Sequence, residues 1–129
     1  MKIKFADYIK EYVILGDGAC GTYLYEKGID FGRNIDLLNL KNPDLIYSVH
    51  EEYIRAGSQL IETNTFGANS FKLQKVGKEE QVSEINLAGA RLAVKAAGHE
   101  VYVAGSLGPT GVEFPLISGD ITSDAIKAS

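Results

Sequence analysis

Gly16, Gly18 and Gly21 stand in the spacing G-x-G-x-x-G directly after the apolar run Tyr12-Val13-Ile14-Leu15. At a strand-to-helix turn this spacing aims backbone amides and a helix N-terminus at a pyrophosphate. Asp36, about 20 residues on, has the separation of an acid that holds a ribose. The residue between the first two glycines, however, is Asp17, and its carboxylate repels a phosphate. Two chemistries stay open from the pattern. One is a small α/β domain that binds a nucleotide or other phosphate through residues 16–21; the other is a pocket in which Asp17 holds something positively charged. A blander reading lets the glycines bend the chain and Asp17 cap the following helix.

Glu62-Thr63-Asn64-Thr65 and Ser106 also follow short apolar runs. Parallel α/β folds build their sites at the carboxyl ends of strands. An anionic Asp17 beside hydroxyls and backbone amides suits a small zwitterion such as an amino acid, with the carboxylate facing the amine and N–H groups facing the acid end. Other polar residues read more mildly. His50 is expected to be a packed or capping residue and not a base, since no metal-ligand spacing accompanies it. His99, after Gly98, reads as a solvated loop residue. Glu62 either joins the pocket or faces outward to pair with a lysine, with nothing in the pattern to choose between them. Asn64 and Asn69 are expected either to bond backbone in tight turns or to touch ligand.

The elements that must position these residues follow from periodicity. Phe5 to Glu11 has helical spacing, and Tyr12 to Leu15 reads as a buried first strand. Thr22 to Lys27 forms a short helix ended by Gly28, and Ile29 to Lys41 reads as a long irregular loop containing Gly32 and Arg33. Asn42-Pro43-Asp44 supplies an N-cap, a proline at the first helical position and a first-turn acid. That helix runs to about Ala56, with Leu45, Val49, Tyr53 and Ala56 on its buried face. A second strand spans Gln59 to Thr63. Helical segments follow over Ser70 to Val76 and Glu79 to Ala97, the latter with Val82, Ile85, Ala88, Leu92 and Ala96 on one stripe. Val101 to Ala104 is a third strand, and Thr122-Ser123-Asp124-Ala125 reads as another helix beginning.

Strand, helix, strand, helix, strand is the grammar of a parallel sheet, open and doubly wound or rolled into a (β/α)₈ barrel. The 129 residues, 45 % of them hydrophobic, are one domain at most, with no internal boundary. Three parallel strands alone expose two edges, so the expectation is an N-terminal fragment, about three βα units of a barrel, whose open edge is available for self-association. The 13 basic and 17 acidic residues give a net charge of -4 without a basic cluster, which argues against nucleic acid. No apolar stretch approaches the roughly 20 residues of a membrane span, and the start of the chain lacks a signal-peptide pattern, so a cytoplasmic location is expected. The single cysteine, Cys20, makes neither a disulfide framework nor a zinc site by itself.

Four segments in order carry a resemblance: Asp17-Gly18-Ala19-Cys20-Gly21-Thr22, His50 to Ser58, Glu62 to Asn69 and Gly105-Ser106-Leu107-Gly108-Pro109-Thr110. Together they resemble the homocysteine S-methyltransferase family. The form is that found at the front of bacterial cobalamin-dependent methionine synthases and of bifunctional homocysteine methyltransferase/methylenetetrahydrofolate reductases. The resemblance covers nearly all of the chain but less than half of the family's domain, a (β/α)₈ barrel of about 300 residues. It implies methyl transfer to homocysteine, giving methionine. It also implies zinc held by three cysteine thiolates carried on later strands, beyond residue 129, where the metal lowers the substrate thiol's pKa. On that reading Cys20 is a packed side chain and not a ligand, because the family commonly has methionine or another apolar residue there. Asp17 meets the homocysteine amino group, with Gly18, Thr65, Phe66 and Gly67 lining the same pocket. These are binding residues; none is catalytic, since the attacking thiolate belongs to the substrate, and the fragment alone is expected to be inactive. The methyl donor stays open among a cobalamin and methyltetrahydrofolate system, S-methylmethionine and betaine.

Overall fold

The computed structural model describes residues 2–30 and 34–111. Gly32, Arg33 and the expected helix start at Thr122-Ser123-Asp124-Ala125 lie outside the described residues. Within them the chain forms α1 (Phe5–Glu11), α2 (Cys20–Glu26), α3 (Leu38–Lys41), α4 (Pro43–Arg55), β1 (Leu60–Glu62), α5 (Ser70–Gln74), α6 (Val82–Ala97) and β2 (Tyr102–Ala104). Short 3₁₀ turns at Ile35–Leu37 and Glu79–Gln81 lead into α3 and α6.

β1 and β2 pair in parallel, Leu60 opposite Tyr102, Ile61 opposite Val103 and Glu62 opposite Ala104. On the other side of β1 the N-terminal segment makes one parallel bridge, Gly16 to Leu60. The Leu15 carbonyl accepts the amides of Gln59 (2.7 Å) and Leu60 (3.2 Å), and the Asp17 amide donates to Leu60 (2.9 Å). The expected buried strand over Tyr12 to Leu15 is therefore corrected: the segment is extended, but Tyr12, Val13 and Leu15 are exposed, Val13 by 94 %. It lies at the sheet edge, and among the described residues nothing packs over its outer side.

A two-stranded ladder is marginal by itself, so packing of the helices on it holds the fold. Ile61 is fully buried with Ala93, Ala97 and Val101, which seats α6 on β1 and the start of β2. Leu24, Ile46 and Val49 join α2 to α4. Ala68, Leu73 and Ile85 join the loop after β1 and α5 to α6. Each fully buried Leu or Ile contributes roughly 1.5–3 kcal/mol. α1 buries none of its residues. It is tethered at the amino ends of the strands: Tyr102 Oη donates to the Ile3 carbonyl (2.5 Å) and Gln59 Nε2 to Tyr8 Oη (3.1 Å). The carboxyl ends are left for a site.

Local chemistry explains most boundaries. Asn42 Oδ1 accepts the Leu45 amide at 3.3 Å with Pro43 at the first helical position, so α4 begins where the sequence indicates. Its buried face is rotated from the expected one: Ile46, Val49 and His50 are buried, Leu45 and Tyr53 are half-buried and Ala56 is exposed. α6 likewise buries Ile85, Gly89, Ala93 and Ala97, one position on from most of the expected stripe. Both helices touch each other, α3 and the sheet, so the most apolar stripe is not the most enclosed one. The segment Ile29 to Lys41, expected to be irregular, carries the 3₁₀ turn and α3, because Asn34 caps the turn by accepting the Asp36 amide at 3.0 Å.

Gly89 shows how closely these elements approach. A Cβ there would lie 2.6 Å from Asn39 Nδ2 and 2.8 Å from the Thr65 methyl. Mid-helix alanine is favoured over glycine by about 1 kcal/mol, whereas overpacking costs roughly 1–3 kcal/mol. The Asn39 amide group cannot retreat without loosening its bonds to the carbonyls of Asn64 (2.7 Å) and Ile85 (3.2 Å). Gly89→Ala should therefore destabilise the protein by about 1–2 kcal/mol net; a raised unfolding midpoint would show that α6 has room to shift.

Candidate functional site

A cavity of about 370 Å³ opens at the carboxyl ends of the parallel segments. The loop after Gly16 supplies Asp17, Gly18, Ala19 and Cys20; α4 supplies Val49, His50 and Tyr53; the end of β1 and the stretch after it supply Glu62, Thr63, Asn64 and Phe66; Ser106 follows β2. Four chain segments thus meet on one face.

The loop is placed by its own backbone and by Tyr53. Asp17 Oδ2 accepts the Glu62 amide at 3.0 Å, so the carboxylate is pinned to the end of β1. Tyr53 Oη donates to the Ala19 carbonyl at 3.0 Å. A Cβ on Gly18 would sit 3.0 Å from that hydroxyl, so a larger residue would need the tyrosine ring to give by a few tenths of an ångström. None of Gly16, Gly18 and Gly21 has a positive φ, and Gly21 lies inside α2.

Burial pushes the Asp17 carboxyl above its usual value, and the nearby Glu62 charge adds to this, against the hydrogen bond from the Glu62 amide. Two carboxylates thus share the wall, and no lysine or arginine is among its residues. A phosphate entering here would meet negative charge. Asp36, the acid at ribose spacing, is buried elsewhere: its Oδ1 accepts the Gly67 amide at 3.0 Å, and burial raises its pKa too. The nucleotide alternative therefore loses both of its supports.

The loop after β1 is buried and polar. The Ser106 amide donates to Thr63 Oγ1 (2.9 Å), and Thr65 Oγ1 donates to the Ser106 carbonyl (2.8 Å). Thr65 has one hydroxyl proton, so Thr63 is the donor in the 2.6 Å contact between the two hydroxyls. Asn64 Nδ2 donates to the Ile35 carbonyl and to Asn39 Oδ1, both at 3.0 Å. Asn69 accepts the Lys72 amide at 3.0 Å, capping α5. Asn69 thus serves backbone, and Asn64 serves backbone and Asn39.

Of the residues expected to contact ligand, Asp17, Gly18 and Phe66 stand together on the cavity wall. Thr65 and Gly67 stand behind it, Thr65 in the hydroxyl chain and Gly67 bonded to Asp36. Glu62 faces the cavity. His50 is buried at 3 % exposure beside it, with no hydrogen-bond partner for either ring nitrogen among the described residues. His99 is exposed. Asn39 was not singled out from sequence; a lone asparagine in a stretch without periodicity carries no signal that it will be buried. No group of three histidine, cysteine or acidic side chains able to hold a metal occurs among the described residues. No helix of the described residues is long and apolar enough to cross a membrane.

A family model described as homocysteine S-methyltransferase matches residues 14–128. A methionine synthase of Mycobacterium leprae (strain TN) is 33 % identical over 121 residues, covering 84 % of this chain and 10 % of that protein. The homocysteine methyltransferase MmuM from Escherichia coli, in its metallated form, superposes with a TM-score of 0.66 at 30 % identity, covering 80 % of this chain and 40 % of the solved one. Its oxidised form gives 0.67 at 28 % identity with the same coverage. The chain therefore spans a tenth of the synthase and two fifths of the solved methyltransferase.

Cys20 lies within the matched stretch, on the cavity wall and against the cluster of Leu24, Ile46 and Val49. Burial, together with the charges of Asp17 and Asp36, pushes its thiol up to about 11. A thiolate reacts and a thiol does not. Against the ordinary 9.0, alkylation of the native protein by iodoacetamide near pH 8 should be slower by on the order of 100-fold than after unfolding. Equal rates would show an accessible, ordinary thiol.

Proposed function

This chain belongs to the homocysteine S-methyltransferase family, and from that premise we propose that its cavity binds homocysteine for methylation to methionine. The observation that carries the proposal is the pairing of Asp17 and Glu62 on a wall without basic residues, at the carboxyl ends of the parallel segments. An ammonium group is the ligand group this arrangement favours. Asp17 is held in place by the Glu62 amide before any ligand arrives, so little orientation is lost on binding. The half-buried setting weakens competition from water and strengthens the contact between opposite charges.

The described residues are the first units of a (β/α)₈ barrel in this proposal, and the exposed side of the Tyr12 to Leu15 segment is where the remainder of such a barrel would pack. Zinc, the metal of this chemistry, would make the substrate thiol a thiolate near neutral pH. The described residues do not fit it: they hold no triad of ligands, and the one thiol is pushed up in pKa, not down. They therefore supply recognition of the amino-acid end, and thiol activation falls to residues outside them. The rim bears Phe66, 56 % exposed with Lys72 Nζ 4.7 Å from its ring centroid, an apolar shoulder on the side a methyl donor must approach. A cytoplasmic location accords with a substrate whose thiol must stay reduced.

Asp17→Asn in the full-length protein should weaken homocysteine binding on the order of 10- to 100-fold, the worth of a hydrogen bond to a charged group, while metal content is unchanged. Isothermal titration and metal analysis of the same preparation test this. Binding to the unsubstituted protein should also fade on acidification at a higher pH than for an ordinary aspartate, because Asp17 must be ionised to hold an ammonium and its pKa is raised. Equal losses of homocysteine and metal on substitution would make Asp17 structural.

A further inference from the structure

Asp36 is a buried carboxylate that the proposed binding groups do not include. It sits at 3 % exposure in the 3₁₀ turn Ile35–Leu37, where a charge is costly to bury. Burial raises its pKa, and the bond from the Gly67 amide is the largest of the influences that oppose this, ahead of the turn's own backbone and the charge of Lys72. An uncharged acceptor would serve one amide at less cost. An acid makes the stronger, charge-assisted bond.

Asn34 completes the grip. Its Nδ2 donates to the Gly67 carbonyl at 3.3 Å while Asp36 Oδ1 accepts the Gly67 amide at 3.0 Å, so one turn holds both backbone polar groups of one residue. The fit leaves no room for a side chain, since a Cβ on Gly67 would collide with Asp36 Oδ2. The residue before Gly67 is Phe66, which stands on the cavity wall and is 56 % exposed. The loop after β2 passes close to it: a Cβ on Gly108 would collide with the Phe66 carbonyl and lie 2.9 Å from the ring. Such a contact blocks approach but does not hold the ring in place. Phe66 is held through its chain neighbours, Thr65 tied to Ser106 and Gly67 tied to the turn.

We infer that Asp36 is a positioning residue of this cavity: by gripping Gly67 it fixes Phe66 on the rim, where the aromatic ring meets the apolar part of the bound amino acid. The inference rests on the reading of the cavity as a homocysteine site. Asp36 is not on the cavity wall, so its effect on binding passes through Phe66.

The test is a double-mutant cycle on homocysteine dissociation constants in the full-length protein, measured well below the unfolding midpoint of each variant. Asp36→Ala and Phe66→Ala should each weaken binding about three- to tenfold, and the double variant should match Phe66→Ala within about twofold, because a ring that is absent cannot be misplaced. Asp36→Asn, which keeps an acceptor for the Gly67 amide, should lose less than Asp36→Ala and carries the same cycle if the alanine variant folds poorly. Full additivity of the two substitutions would show that Asp36 reaches the site by another route and overturn the inference, as would unchanged binding in the Asp36→Ala variant. Failure of the unsubstituted protein to bind homocysteine would overturn the functional reading and the inference with it, a result distinct from the other two.

Discussion

Thr63, Asn64 and Thr65 are three polar residues in succession, all buried, at the point where the chain leaves β1. Their side chains have little access to water, so each must find a partner within the protein or leave a desolvated group unpaired at roughly 1–3 kcal/mol apiece. Those partners come from far along the chain: Ser106 after β2, Asn39 on α3, and Ile35 in the turn before it. Satisfying this short stretch therefore ties the loop after β1 to the loop after β2 and to the segment that carries α3. Asn39 extends the tie to α6 through the Ile85 carbonyl, which explains why that helix presents a glycine at the crossing.

The same constraint shapes the cavity. Many side-chain donors and acceptors are consumed in holding the loop, so the wall is left with two carboxylates, the backbone of the loop after Gly16, a serine and the aromatic rim. A site built this way discriminates by charge with few contacts. No group of three side chains able to hold a metal occurs among the described residues, and the chain spans only part of the length of its relatives.

Much of the architecture was legible in the residues. Asn42-Pro43 starts α4 because capping is a local interaction between one side chain and an amide three residues away. β1, β2 and the αβ alternation were readable for the same reason, since periodicity is a property of neighbouring residues. Tyr12 to Leu15 failed because burial is not local: the same apolar residues make a core strand or an exposed edge according to what lies across from them. The expected faces of α4 and α6 kept Val49 and Ile85 but moved by a position elsewhere, for a related reason. Hydrophobicity marks the stripe a helix can bury, and contacts on two sides choose the residues most enclosed.

The glycine spacing at residues 16–21 illustrates the division between sequence and tertiary structure. Sequence alone determined that a carboxylate stands in this loop and that it argues against phosphate, because charge belongs to the residue type wherever it is placed. It also determined, through four ordered segments, which family the chain resembles. Only the tertiary structure decided that Tyr53 packs closely on Gly18, that Asp36 is spent on Gly67, and that Glu62 faces the cavity. It alone showed His50 buried without a partner. Each of these depends on a contact between residues tens of positions apart. Such contacts exist only once the loops have been drawn to one end of the sheet.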